Sequence, residues 1–211
     1  MSYRKEKNQS LVGLNYSEYS SEQLQTLCST VLDNGMHGLC FSPYGEGQKP
    51  GDLITEAQIR RRLEIIAPYT KWIRSFSCTE GNDLIPKLAK EYGLKTLVGA
   101  WLGDDKAIND KEMEALIELS KAGFVDIAAV GNEVMYRGDL TEAELLDHIQ
   151  AFKTAVPTVD VGYVDAYYEF TDRPKITEAC DVILANCYPY WEACHMDYSL
   201  LYMKQMYQEA L

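Results

Sequence analysis

The segment VDIAAVGNE, residues 125–133, decides the fold that this sequence predicts. An apolar run of strand length ends in Asn132-Glu133, and a helical pattern follows it. Parallel barrels present an acid in this way, because their active sites lie at the C-terminal ends of the strands. A carboxyl group in such a cleft is partly desolvated and can hold a proton at neutral pH, as a general acid must. The alternative is that Asn132 caps the next helix and Glu133 lies in its first turn.

The composition predicts one sizeable domain and narrows the class of ligand. The chain has 211 residues, of which 46% are hydrophobic, and its formal net charge is −12. This charge argues against nucleic acid and against anionic membrane surfaces, because both attract clustered Lys and Arg. The 15 Tyr and 3 Trp residues suit a neutral, hydrogen-bonding ligand such as a sugar, although tyrosine also packs barrels.

The N-terminus and the cysteines are typical of an intracellular protein without a cofactor. Residues 1–10 contain no apolar signal region, no stretch reaches transmembrane length, and the six cysteines form no CxxC pair. We therefore expect a cytoplasmic protein with reduced thiols. His37, His148 and His195 lack the spacing of metal ligands, and no G-x-G-x-x-G or phosphate loop follows a strand. Neither a metal nor a nucleotide cofactor is predicted.

Strand-like and helix-like segments alternate along the chain, which predicts a parallel sheet of the α/β class. The predicted strands are 37–42, 72–77, 95–100, 125–131, 159–164 and 181–187. The predicted helices are 21–33, 55–67, 82–92, 110–122, 142–155 and 198–210, with a shorter helical turn near 175–180. The lack of a phosphate loop favours a closed barrel over an open doubly wound sheet. A complete (β/α)8 TIM-type barrel takes ~250 residues. We therefore predict an incomplete barrel of about six βα units over residues 37–211, preceded by an extension, residues 1–36, with one helix.

The C-terminal ends of the predicted strands are rich in polar and aromatic residues. Aromatic side chains offer flat faces to sugar rings, and Asn, Arg and carboxylates bind hydroxyl groups. The segments in question are FSPYGEGQ (41–48), IRSFS (73–77), VGAWLG (98–103), VGNEV (130–134), GYVDAY (162–167) and ANCYPYWE (185–192). Six such ends in succession favour a binding cleft over helix capping as the role of Asn132-Glu133.

These segments resemble, in order and spacing, glycoside hydrolase family 17, the β-1,3-glucanases, in its bacterial branch. The resemblance is carried by FSPY with the following Gly47-Gln48 and Pro50, by Ile73-Arg74, by VGNEV (130–134) and by LANCYPYWE (184–192), and it extends from about residue 37 to residue 211. It implies a (β/α)8 barrel and a retaining glycosidase. It further implies that Glu133 is the general acid/base and that Asn132 binds the sugar 2-hydroxyl.

The chain departs from the family pattern at the nucleophile. The family has a second glutamate at its seventh strand, in a Gly-Glu-Thr-Gly-Trp-like segment, and the 211 residues contain no such segment. Retaining hydrolysis uses two carboxyl groups ~5–5.5 Å apart. Glu192 is a tempting substitute, but the family pattern already has a glutamate at that place, so we assign it to binding.

The remaining strand-end residues are predicted to bind substrate. They are Tyr44, Arg74, Trp101, Asn132, Asn186, Tyr188, Trp191 and Glu192. For Arg74, a structural pair with a barrel carboxylate is an equal alternative. For Trp101 and Trp191 the alternative is packing of a lid, and the family motif favours a sugar platform for Trp191.

Two classes of function stay open at this point. The first is a retaining enzyme that hydrolyses β-1,3-glucan or laminari-oligosaccharides, or that transfers glucosyl units between them. The second is a catalytically inactive glucan-binding remnant or one subunit of a split barrel, with a complementing C-terminal fragment as its partner. Because an open six-stranded array exposes both sheet edges, we also expect the chain to form a homodimer. A nucleotide-binding α/β protein is disfavoured, since no phosphate loop is present.

Overall fold

The computed structural model of the chain describes residues 18–211. Six strands form one sheet, namely β1 (Met36–Cys40), β2 (Thr70–Ser75), β3 (Lys95–Ala100), β4 (Ile127–Asn132), β5 (Asp160–Ala166) and β6 (Val182–Asn186). They lie in sequence order and every neighbouring pair is parallel. The sheet curls into a half-barrel, which confirms the prediction of an incomplete (β/α)8 barrel.

Helices precede, connect and follow the strands along the chain. They are α1 (Ser21–Asn34), α2 (Glu56–Ile66), α3 (Leu84–Glu91), α4 (Lys106–Lys121), α5 (Val134–Arg137), α6 (Glu142–Ala155), α7 (Tyr167–Asp172), α8 (Pro174–Ala179) and α9 (Ser199–Glu209). Helices α1, α2 and α6 each begin with a capping box, in which Ser20, Thr55 and Thr141 accept a hydrogen bond from the backbone of the third helical residue. None of the α1 residues is buried within the described part of the chain.

The predicted elements agree with the observed ones except in three places. Helix α4 begins at Lys106, four residues before its predicted start, because Asp105 caps it through the backbone N–H groups of Ala107 and Ile108. The short helices α5 and α7 were not predicted, since neither is long enough to show helical periodicity. Residues 1–17 lie outside the described residues, so the predicted domain boundary after residue 36 stays a prediction.

The alternation of side chains along the strands separates a buried outer layer from a more open inner face. Val98 and Val130 are at most 1% exposed and pack with helix residues such as Leu116 and Ile149 in the main core. On the inner face, partly exposed Trp72, Leu97, Ile127 and Leu184 line an open groove of about 390 Å³. The core therefore lies between sheet and helices, and the C-terminal strand ends are left to form a cleft.

Within residues 18–211, no helix combines the length and the apolar character that crossing a bilayer requires.

Candidate active site

A cleft of about 580 Å³ opens at the C-terminal ends of the strands. Its walls are mainly aromatic and its polar groups are two carboxylates and two amides. The lining residues are Phe76, Trp101, Asn132, Glu133, Tyr136, Ala166, Tyr168, Asn186, Tyr188, Trp191 and Glu192. The structure thus brings together seven of the nine predicted site residues. The first and last of them, Trp101 and Glu192, are 91 positions apart in the sequence.

Glu133 stands on the turn that follows β4, with its carboxylate facing the cleft. Its backbone adopts the left-handed conformation (φ 53°, ψ 32°), and its N–H donates to the carbonyl of Val164 at 2.7 Å. The side-chain Oε1 accepts a hydrogen bond from Nδ2 of Asn186 at 2.6 Å. Neither Asn132 nor Glu133 caps α5 through its side chain, so the capping alternative does not describe this segment.

Arg74 reaches the cleft indirectly, through Asn132. Its Nη2 donates to Oδ1 of Asn132 at 2.5 Å, and its guanidinium carbon lies 4.5 Å from the centre of the Phe76 ring. Because Oδ1 is held by Arg74, the Nδ2 donor of the buried Asn132 amide is the group that can serve a ligand hydroxyl. Arg74 orients an amide here, and it does not line the cleft itself.

Trp101 forms one aromatic wall, and its position is fixed by Arg137. The guanidinium carbon of Arg137 lies 4.8 Å from the centre of the Trp101 ring. Arg137 also donates to the carbonyl oxygens of Asn132 and, at 2.9 Å, of Leu102. It pairs with Asp139 at 2.6 Å. One cation therefore ties the Trp101 platform to the turn that carries Glu133, a role that no sequence pattern indicated.

Glu192, Tyr188 and Trp191 form the opposite wall. Trp191 is 79% exposed and packs edge-on against Tyr190 with ring centres 5.7 Å apart. Glu192 accepts a hydrogen bond from the hydroxyl of Tyr202, and burial followed by this bond raises the pKa of Tyr202 well above its usual value. Burial and the charge of Glu133 also raise the pKa of Tyr188.

Tyr44 does not line the cleft, although the sequence placed it there. Its ring packs against the apolar cluster around Phe41 and Ile59. Its carbonyl accepts from Nη2 of Arg62 at 3.2 Å. The chain has already turned towards α2 at this point, four residues beyond the end of β1. A substrate contact by Tyr44 stays a prediction.

Three aromatic side chains of the cleft were absent from the predicted site, namely Phe76, Tyr136 and Tyr168. Tyr136 and Tyr168 lie on the short helices α5 and α7, whose sequences carry no periodic signal. Phe76 directly follows β2 and was visible as a strand-end aromatic.

The charges of the cleft favour a neutral polyhydroxyl ligand. Among the described lining residues the ionisable acids are Glu133 and Glu192, and no Lys or Arg lines the cleft. The described residues contain no group of three His, Cys, Asp or Glu side chains arranged to hold a metal ion. Aromatic faces, amide donors and carboxylate acceptors are the groups that bind sugar rings.

Comparisons with known proteins find similarity to glycoside hydrolases. Residues 38–211 match the BtgE/BtgC glycoside hydrolase domain. A glucan 1,3-beta-glucosidase of Schizosaccharomyces pombe is 33% identical over 62% of this chain and 44% of its own length. The glucan 1,3-beta-glucosidase BGL2 of Candida albicans is 30% identical over 79% of this chain and 60% of its own length.

The structural neighbours lead to the same group of proteins. An active-site mutant of the Rhizomucor miehei beta-1,3-glucanosyltransferase, solved in complex with laminaritriose, superposes with a TM-score of 0.73. It is 25% identical, and the match covers 84% of this chain and 66% of that chain. The chain spans about half the length of the curated relatives it matches.

Proposed function

The chain belongs to the BtgE/BtgC glycoside hydrolase domain family, and from this premise we propose that it contributes the acid/base side of a retaining β-1,3-glucan glycosidase site, with Glu133 as general acid/base and no match to the family nucleophile among its 211 residues. The observation that carries the proposal is the carboxylate of Glu133, held by Asn186 in a cleft with aromatic walls. A group in this place protonates the departing glycosidic oxygen and later activates the incoming hydroxyl. That hydroxyl belongs to water in hydrolysis and to another sugar in glucosyl transfer.

The other residues of the cleft have supporting roles in this proposal. Asn132, oriented by Arg74, donates its Nδ2 hydrogen to a sugar hydroxyl beside the reacting carbon. Trp101 and Trp191 stack on sugar rings on the two walls. The glucan 1,3-beta-glucosidase relatives and the structural neighbour solved with laminaritriose support a β-1,3-linked glucan or its oligosaccharides as ligand.

A second candidate is glucan binding without turnover, and one observation favours it. The second carboxylate of the cleft, Glu192, is engaged by the hydroxyl of Tyr202 and lies in the binding motif of the sequence. No residue of the described chain matches the family nucleophile. In this case Asn132, Asn186 and the aromatic walls would bind the oligosaccharide, and Glu133 would serve as a hydrogen-bond acceptor.

Laminaritriose is expected to bind this chain, and Trp191→Ala is expected to weaken that binding by about tenfold. A stacked indole buries apolar surface worth roughly 1–2 kcal/mol, and about 1.4 kcal/mol corresponds to tenfold in Kd. Isothermal titration calorimetry measures both variants, with cellotriose as the linkage control. Tyr207→Ala is the matched protein control, because Tyr207 is an exposed aromatic residue of α9 that lies outside the cleft. Equal affinity for cellotriose, or equal losses in the two variants, would count against the site.

The isolated chain is expected to form a symmetric dimer through its sheet edges. The outer edges of β1 and β6 have no strand partner among residues 18–211, and unpaired edges associate with other chains. Light scattering should give twice the chain mass of 23.9 kDa. Ile183→Lys, on the edge strand β6, should restore the monomer, whereas Ile65→Lys on the exposed face of α2 should not. A monomer at all concentrations would contradict this prediction.

A further inference from the structure

The turn that carries Glu133 is attached to β5 by two side chains that do not line the cleft. The hydroxyl of Tyr163 accepts a hydrogen bond from the backbone N–H of Met135 at 2.8 Å and donates one to Asp165. Asp165 Oδ2 also accepts from the N–H of Tyr136 at 3.3 Å. Tyr163 and Asp165 are both fully buried, with 0% exposure. The two side chains thus accept hydrogen bonds from backbone N–H groups in α5.

Burial of a carboxylate costs free energy unless hydrogen bonds compensate it, so the partners of Asp165 indicate its role. Burial raises the pKa of Asp165, while hydrogen bonds from Tyr163, Ala166 and Tyr136 oppose that rise. Burial, followed by the hydrogen bond to Asp165, raises the pKa of Tyr163 well above its usual value. All of the hydrogen-bond donors to Asp165 come from its own strand or from the Glu133 turn.

The backbone of that turn needs such an anchor. A left-handed conformation at a residue with a side chain costs about 1 kcal/mol or more and persists only where the surroundings impose it. Glu133 is in that conformation, and its own N–H is bound to Val164, between the two anchoring residues. Hydrogen bonds from residues 133, 135 and 136 therefore all end on β5, at residues 164, 163 and 165.

We propose that Asp165 and Tyr163 are positioning residues, which act through the backbone N–H groups of Met135 and Tyr136 to hold the Glu133 carboxylate towards the cleft. The same contacts place Tyr136, 64% exposed, on the rim of the cleft. The proposal rests on the proposed role of Glu133 as acid/base. It goes beyond that role, because neither Asp165 nor Tyr163 lines the cleft. The opposing interpretation is that the pair only satisfies polar groups in the core.

Tyr163→Phe tests the proposal, since it removes one oxygen atom and keeps the ring that packs against Phe170. The matched control is Thr96→Val, which removes a buried hydroxyl group bound to the carbonyl of Phe124 at 2.6 Å, near the opposite end of the sheet. Each variant loses one buried hydroxyl group with its hydrogen bonds, two at Tyr163 and three at Thr96. A merely structural role therefore predicts that Tyr163→Phe loses no more stability than Thr96→Val and differs from it in no other way.

The first readout is NMR of the 211-residue chain, which does not depend on activity. In Tyr163→Phe we expect chemical-shift changes at the side chains of Glu133 and Asn186 and at the backbone of residues 133–138. Thr96→Val should leave these signals in place. If the Glu133 and Asn186 signals are unchanged in Tyr163→Phe, the proposal is overturned, whatever the catalytic role of Glu133.

The second readout is the rate of cleavage of two substrates, and it distinguishes a misplaced general acid from general damage to the cleft. With formate supplied as an external nucleophile, phenyl β-laminaribioside needs a proton at its leaving oxygen and 2,4-dinitrophenyl β-laminaribioside does not. Tyr163→Phe should slow cleavage of the phenyl substrate by about tenfold or more and of the dinitrophenyl substrate by less than about twofold. Equal losses on both substrates would overturn positioning. If Glu133→Gln itself shows no such difference, the proposed function fails, and the NMR result alone decides on Tyr163.

Discussion

Glu133→Gln is expected to slow formate-dependent cleavage of phenyl β-laminaribioside by this chain by about 10²–10⁴-fold, the usual contribution of a general acid. Formate attacks the anomeric carbon as the bond to the phenolic oxygen breaks, and the electron pair leaves with that oxygen. Glu133 donates the proton that the oxygen takes up. Glutamine keeps the shape and the hydrogen bond to Asn186 available, but it has no proton to give.

The external nucleophile is used because the 211 residues contain no match to the second family glutamate. Without formate we expect little or no release of reducing sugar from laminarin. Because 2,4-dinitrophenolate departs unprotonated, Glu133→Gln should change cleavage of the dinitrophenyl substrate by less than about twofold. Glu192→Gln is the matched carboxylate control from the same cleft, and it should weaken binding without this dependence on leaving group.

Two outcomes would contradict the assignment. A uniform loss on both substrates would show that Glu133→Gln damages the cleft and does not remove an acid. Ordinary turnover of laminarin without formate, abolished by Glu133→Gln, would show that the chain holds a second catalytic carboxylate that the sequence did not reveal.

The fold could be predicted from the sequence because each parallel strand is an apolar run of its own. The run at 95–100 was predicted with the bounds that β3 has, Lys95–Ala100. The convergence of Glu133, Asn186 and Trp191 followed from the same principle, since strand ends of a barrel meet at one face. No distance had to be known, because the topology alone brings these residues together.

The parts that could not be predicted depend on backbone conformation between the elements. Nothing in the letters Asn132-Glu133 specifies that Glu133 adopts a left-handed conformation, and that conformation decides which way its carboxylate points. Arg137 belongs to no motif in the sequence, yet it contacts the Trp101 ring and donates a hydrogen bond to the carbonyl of Asn132. Tyr44 lies outside the cleft for the converse reason, because four residues of loop are enough to carry a side chain away from a strand end.

The packing at the end of β4, directly before the Glu133 turn, is tested by Gly131→Ala, which is expected to lower the free energy of unfolding by about 2–5 kcal/mol. Gly131 has φ +87°, where an L residue is strained by about 1–2 kcal/mol. An added Cβ would also lie 2.9 Å from Cγ2 of Val134 and 3.3 Å from Cε2 of Tyr163. Forcing a methyl group into a packed site costs a further ~1–3 kcal/mol.

Gly138→Ala is the control that separates the cost of the steric clash from the cost of backbone strain. Gly138 follows the last residue of α5 and has φ +73°, but an added Cβ would meet no atom within 4 Å, so only the backbone strain of about 1–2 kcal/mol should appear. Urea unfolding with a common m-value measures the difference between the two variants. Because the clash falls on Val134 and Tyr163, Gly131→Ala should also weaken laminaritriose binding, whereas Gly138→Ala should not. Equal losses of stability would mean that Tyr163 moves aside freely, and the turn would then be too loosely held for its hydrogen bonds to orient Glu133.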